Sequence, residues 1–88
     1  ALEEKIVITE TGIDSGNAGK LVRLARMTRN LKGSGLDEGA STRLLVHAAK
    51  LIRRGIPPRA ACHCAIAEAL SDDPEMLRAI DELASSLF

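Results

Sequence analysis

Gly39-Ala40-Ser41-Thr42-Arg43-Leu44-Leu45 closes a loop punctuated by Gly33, Gly35 and Gly39 and opens the most regular helical pattern in this 88-residue chain. Ser41 stands where a helix N-cap belongs. Its hydroxyl can accept a hydrogen bond from a first-turn N–H that has no partner within the helix. From Thr42 to about residue 54, Leu45, Ala48, Ala49 and Ile52 share one stripe, with Leu44 and Leu51 beside it, which is the period of an amphipathic helix. This helix is predicted to be the central and most buried one. Arg43 falls in its first turn, where free N–H groups and the helix dipole favour negative charge. An arginine gains nothing there from its own helix. Either it points into water or it meets an anion, because a helix N-terminus plus a guanidinium makes a natural phosphate site.

Working outward, Gly55 follows Arg53 and Arg54 as a helix terminator. Ile56-Pro57-Pro58 then forces a turn and starts a helix over 58–70, with Cys62, Ala65, Ile66 and Ala69 on its inner face. Ser71-Asp72-Asp73-Pro74 is a helix start with Asp73 as N-cap, and 74–87 carries Met76, Leu77, Ile80, Leu83, Ala84 and Leu87 inward, Asp81 and Glu82 toward water. In the other direction, Asp14 or Ser15 caps a helix over 15–32 whose inner face holds Ala18, Leu21, Val22, Ala25 and Met27. Gly12 ends an element at 2–11. Its run Ile6-Val7-Ile8-Thr9 has strand propensity, yet a lone strand would have no partner in an otherwise helical chain, so a helix is predicted. The fold class is all-α: one small bundle of four to five helices spanning residues 1–88, at about 2–11, 15–32, 42–54, 58–70 and 74–87.

Eighty-eight residues support one core and not two. Phe88 is the only aromatic residue, so that core must be aliphatic. No apolar run approaches the roughly 20 residues of a membrane span, and the charged N-terminus is no signal peptide. Cys62 and Cys64 point to different sides of a helix and cannot pair with each other; free thiols suggest a reducing, cytoplasmic home. Cys62-His63-Cys64 does not read as a metal site, because successive side chains splay by about 100° and no fourth ligand lies at a usual spacing. His47 reads as a structural or surface residue. The zero net charge conceals an asymmetry: residues 15–60 hold ten Lys/Arg against Asp37 and Glu38 alone, while both ends are acidic. The row Lys20, Arg23, Arg26, Arg29 and Lys32 recurs every third residue and so winds around its helix. No nucleophile–base constellation and no phosphate loop can be assembled. An enzyme acting alone is not expected.

The run Gly35 to Leu45 resembles the C-terminal segment of the CbbQ/NorQ/NirQ group of MoxR-type AAA+ ATPases, to which the gas-vesicle GvpN proteins are related. Thr11-Gly12-Ile13-Asp14 before it, and Gly55-Ile56-Pro57-Pro58-Arg59-Ala60-Ala61-Cys62 and Asp72-Asp73-Pro74 after it, extend the similarity over nearly the whole chain. The resemblance implies an AAA+ lid in which Arg43 is the sensor 2 residue. Arg43 would approach the γ-phosphate of ATP, bound with Mg2+ by a larger nucleotide-binding domain of the same protein. Gly39, Ala40, Ser41 and Thr42 would be its supporting loop and helix cap. Relatives often carry proline after the serine; Thr42 takes that position less rigidly.

The resemblance further implies a hexamer, a partner carrying a von Willebrand A domain, and a metalloenzyme client. That client is rubisco for CbbQ-like proteins and nitric oxide reductase for NorQ/NirQ-like ones. The Walker motifs are not in this chain, which begins at Ala1 without methionine. It reads as an excised C-terminal domain with no catalytic or metal-binding residue and no cofactor of its own. The face that docks on the ATPase domain is expected to be left partly apolar and able to self-associate. Two rival readings are a free-standing helical adaptor and a small DNA-binding domain. The second lacks the stacking aromatics and base-reading amides that nucleic-acid recognition uses.

Overall fold

A computed structural model describes residues 2–88; Ala1, where the domain was expected to begin, lies outside them. The described residues form five helices: α1 (Leu2–Thr11), α2 (Ser15–Arg29), α3 (Thr42–Arg53), α4 and α5 (Pro74–Leu87). Helix α4 runs without a break, α-helical over Pro58–Cys62, π-helical over His63–Ala67 and α-helical again over Glu68–Leu70. No strand occurs among the described residues, and no helix there is long and apolar enough to cross a membrane.

The strand-prone run in α1 is helical because Val7 is fully buried against the rest of the bundle, and α1 packs on both α2 and α3. Tertiary burial overrides the β-branched preference. Asp14 caps α2 through Asn17 N–H (2.9 Å), Ser41 caps α3, and Asp73 caps α5 ahead of Pro74. Helix α2 stops at Arg29, three residues short of the expected end. The N–H groups of Leu31 and Lys32 bond three residues back, to Thr28 and Arg29. This tighter turn releases the chain so that Leu36 can drop into a small second cluster with Ala67 and Ile80.

Helix α3 is central, packing on α1, α2 and α4. It is not the most buried helix: α2 buries Ala18, Leu21, Val22, Leu24, Ala25 and Thr28, against Leu45, Ala48 and Ala49 from α3. Both helices keep a charged face in solvent, but four apolar side chains of α3, Leu44, Val46, Leu51 and Ile52, are only partly covered by their neighbours.

Two further expectations are corrected around the π turn. A π turn holds more residues than an α turn and shifts the helical register that follows it. Ala67 is therefore buried, and Ala69, expected on the inner face, is exposed. His63, the first residue of that turn, meets Asp81 on α5, with Nδ1 at 2.8 and 3.0 Å from the two carboxylate oxygens. Asp81, expected to face water, is thus half-buried and paired. Cys62 is buried and Cys64 exposed. Burial, with a smaller push from the Asp81 charge, raises the Cys62 thiol to about 12, so it packs as a small apolar group and is no nucleophile.

The hydrogen bond and charge of Asp81 raise the His63 pKa above its ordinary value of 6.5, and Glu68, 4.0 Å from Nε2, adds to the effect. A raised pKa in the folded state means that the His63–Asp81 clasp stabilises fully below about pH 6.5 and fades as pH rises through the folded value. Asp81→Asn is accordingly expected to lower the urea midpoint at about pH 5.5 and to leave it nearly unchanged at about pH 9. An equal loss at both pH values would show that the pairing does not depend on imidazolium charge.

Candidate functional site

The loop between α2 and α3 is tied down residue by residue. Thr28, buried at the end of α2, donates its hydroxyl to Ala25 C=O (2.7 Å) and accepts the Ala40 N–H (2.9 Å) on the same oxygen. Arg29 Nε donates to Ala40 C=O at 3.0 Å. Both backbone polar groups of Ala40 are thereby satisfied by side chains of α2, as its burial requires. Gly39 lies so close to Arg29 that a Cβ on it would meet the Arg29 backbone at 2.5 Å. Only glycine allows the loop to cross there.

The Arg29 guanidinium continues outward to α1. Its Nη1 and Nη2 donate to Glu3 Oε1 and Oε2 at 3.0 and 2.6 Å, a two-pronged pair. Thr42, the first residue of α3, donates its hydroxyl to the same Glu3 Oε2 at 2.7 Å. The Arg29 hydrogen bonds hold the Glu3 carboxyl below its ordinary pKa despite partial burial, which alone would raise it, and Glu3 in turn raises Arg29. Ser41 closes the arrangement by accepting the Leu44 N–H at 3.4 Å, a long bond.

The structure therefore places Gly39, Ala40, Ser41 and Thr42 together as a held loop and cap. Arg43 comes next and is exposed, and among the described residues its side chain makes no hydrogen bond or ion pair. Along α3, His47, Lys50 and Arg54 follow Arg43 at intervals of four, three and four residues, all exposed, and no acidic residue lies between Thr42 and Arg54. This edge of the bundle suits an anion: a free guanidinium at a capped helix N-terminus, backed by like charge and presented from a rigid base. Magnesium chemistry needs oxygen ligands, which the Gly39–Arg43 side chains supply poorly. Among the described residues, no three His, Cys, Asp or Glu side chains gather as a metal site.

Sequence reasoning missed Glu3, Thr28 and Arg29. Arg29 was one of five regularly spaced basic residues, with nothing local to show that it reaches across to Ala40 and Glu3. The basic row is also partly consumed inside the molecule: Arg29 holds the loop, and Lys20 lies 5.5 Å from the centre of the Phe88 ring. That leaves less of it for a nucleic-acid backbone.

Residues 3–87 match the family described as CbbQ/NirQ/NorQ C-terminal. The chain is similar to protein CbbQ of Hydrogenophilus thermoluteolus, 48% identical over 87 residues, which are 99% of this chain and 33% of that protein. It is also similar to protein NorQ of Paracoccus denitrificans, 47% identical over 88 residues, all of this chain and 33% of that protein. A third relative is the denitrification regulatory protein NirQ of Stutzerimonas stutzeri, 45% identical over 80 residues, 91% of this chain and 29% of that protein. The chain thus spans about a third of the length of the curated relatives it matches.

Proposed function

The chain belongs to the CbbQ/NirQ/NorQ C-terminal family, and from that premise we propose that it is the helical lid of a MoxR-type AAA+ ATPase, with Arg43 as its sensor 2 residue. The nucleotide-binding domain, with ATP and Mg2+, belongs to the remainder of the longer protein. Arg43 reads the γ-phosphate through charge-assisted hydrogen bonds, and loss of that phosphate on hydrolysis frees the lid. The observation that carries this reading is the contrast within one run: Gly39 to Thr42 are all held, and Arg43 alone is left free.

The whole protein, in this reading, is a cytoplasmic hexamer that works with a von Willebrand A partner to activate a metalloenzyme. Nitric oxide reductase and rubisco are the clients that the resemblance implies, and the relative named as a denitrification regulatory protein supports a client in denitrification. On α1, Leu2 is 75% and Ile6 40% exposed, beside Lys5, Thr9 and Glu10. The lid reading seats the ATPase domain on this small apolar surface. The adaptor reading seats a separate protein there.

Arg43→Ala in the full-length protein tests the proposal. It is expected to lower ATP turnover, or the discrimination of ATP from ADP, by about tenfold, the scale of one charge-assisted contact. The helical fold should be retained, because the side chain is exposed and, among the described residues, makes no hydrogen bond or ion pair. Unchanged turnover with unchanged nucleotide discrimination would sink the assignment.

A further inference from the structure

We propose that Glu3 is a positioning residue for Arg43: its carboxylate links α1 to the Gly39–Arg43 run, so that the guanidinium is correctly presented only while α1 is in place. The inference rests on the sensor 2 reading of Arg43 and deepens it.

Three hydrogen bonds converge on one carboxylate from two different elements. Arg29 brings two from the end of α2, and Thr42 brings one from the first turn of α3. Thr42 adjoins Arg43 in sequence, so the Glu3–Thr42 bond sets the position of the residue immediately before the guanidinium's own backbone. Arg29 carries the same link to the Ala40 carbonyl. The sequence separations are 26 and 39 residues, so this contact belongs to no local capping motif. Two acceptor oxygens are needed: a neutral amide at Glu3 would turn its NH2 toward Arg29 Nη1 or Nη2, both of which are donors, and leave at least one of the three bonds unmade.

The location gives the link a role beyond holding the fold. Glu3 lies in the first turn of α1. The matched family segment is C-terminal and begins at residue 3 here, so in the longer relatives α1 is the first helix after the part that this chain does not span. A shift of α1 relative to that part pulls on Glu3, and through it on the cap of α3. A charged link that joins three helix ends can carry movement from one of them to the others. The small apolar patch of Leu2 and Ile6 lies on this same helix.

The experiment is a double-mutant cycle in the full-length protein, reading ATP turnover and ATP/ADP discrimination. Glu3→Gln is expected to reproduce the direction of the Arg43→Ala defect at roughly threefold to tenfold. The double variant Glu3→Gln/Arg43→Ala should be no worse than Arg43→Ala alone, because both substitutions remove one function. A merely structural role would instead add its own loss to that of Arg43→Ala. Thr42→Val, which keeps the Glu3–Arg29 pair, should share the defect, and Thr42→Ser, which keeps the hydroxyl, should restore wild-type behaviour. If Arg43→Ala is impaired while Glu3→Gln and Thr42→Val are both normal, the positioning role is overturned and the sensor 2 reading stands. Multiplicative losses in the double variant would also overturn it. A normal Arg43→Ala would remove the sensor 2 reading, and this inference with it. Should Glu3→Gln fold poorly, the Thr42 pair decides the matter alone.

Discussion

An alanine at Gly39 is expected to lower the unfolding free energy by roughly 3 kcal/mol, at the upper end of the usual cost of overpacking. In a domain of this size that corresponds to a fall in Tm of roughly 12–24 °C. The added Cβ would meet Arg29 Cα and Cγ at 2.5 Å and Arg29 N at 2.7 Å. Two of those three atoms are backbone, and the third belongs to a side chain pinned by Glu3 and by the Ala40 carbonyl. Nothing nearby is free to yield. The loop must lift off α2, and lifting it breaks the Thr28–Ala40 bond in a buried place, where an unpaired N–H is costly. Gly33 supplies the comparison. It has a φ of 85° with no atom within 4 Å of its added Cβ, so alanine there pays only for the left-handed backbone, about 1–2 kcal/mol. Thermal unfolding followed by circular dichroism should rank the variants in that order. Equal losses at the two glycines would mean that the crossing of loop and helix is looser than the distances show.

The same crossing marks where the sequence stopped being informative. Periodicity, caps and prolines were legible because they act within a few residues. Asp14, Ser41, Asp73 and Pro74 announce their helices locally, and the aliphatic stripes follow from a 3.6-residue period. The strand-prone Ile6-Val7-Ile8-Thr9 was resolved correctly only by asking what a strand there could pair with. The π turn at His63–Ala67 left no trace in residue type, and the outward turn of Ala69 was lost with it; the pairing of His63 with Asp81 depends on how α4 and α5 pack, 18 residues apart. At the candidate site, the run Gly39 to Arg43 was visible because its glycines and cap sit side by side. Glu3 and Arg29 were not, since their contacts to it are set by how α1 and α2 pack, and no local pattern encodes a separation of 26 or 39 residues. What a sequence shows of such a site is the presented residue and its cap. The side chains that hold them come from elsewhere in the fold.

Leu45→Ala is expected to cost about 3–5 kcal/mol, the upper part of the range for a buried leucine. Leu45 is fully buried in the main core cluster, whose other members include Ala18, Ala25, Ala40, Ala48, Ala49, Ala65 and Ala84. What a leucine deletion costs depends on whether the neighbours can move into the space. Alanines have no rotamers to change, and the helices that carry them are fixed by their own caps and by contacts on several sides, so the cavity stays open. A domain of this length is stable by only about 4–13 kcal/mol, and the variant therefore approaches the limit of folding at ambient temperature. Leu2→Ala removes the same atoms from a side chain 75% exposed and is expected to change stability by no more than about 0.5 kcal/mol. Urea unfolding of both variants separates two explanations for the thin, alanine-rich core. A large Leu45 loss with an unchanged m-value means that a few large side chains carry the bundle and the alanines set its spacing. A Leu45 loss below about 1.5 kcal/mol would mean that α3 slides inward to close the hole, and Arg43, two residues away on the same helix, would then move with it.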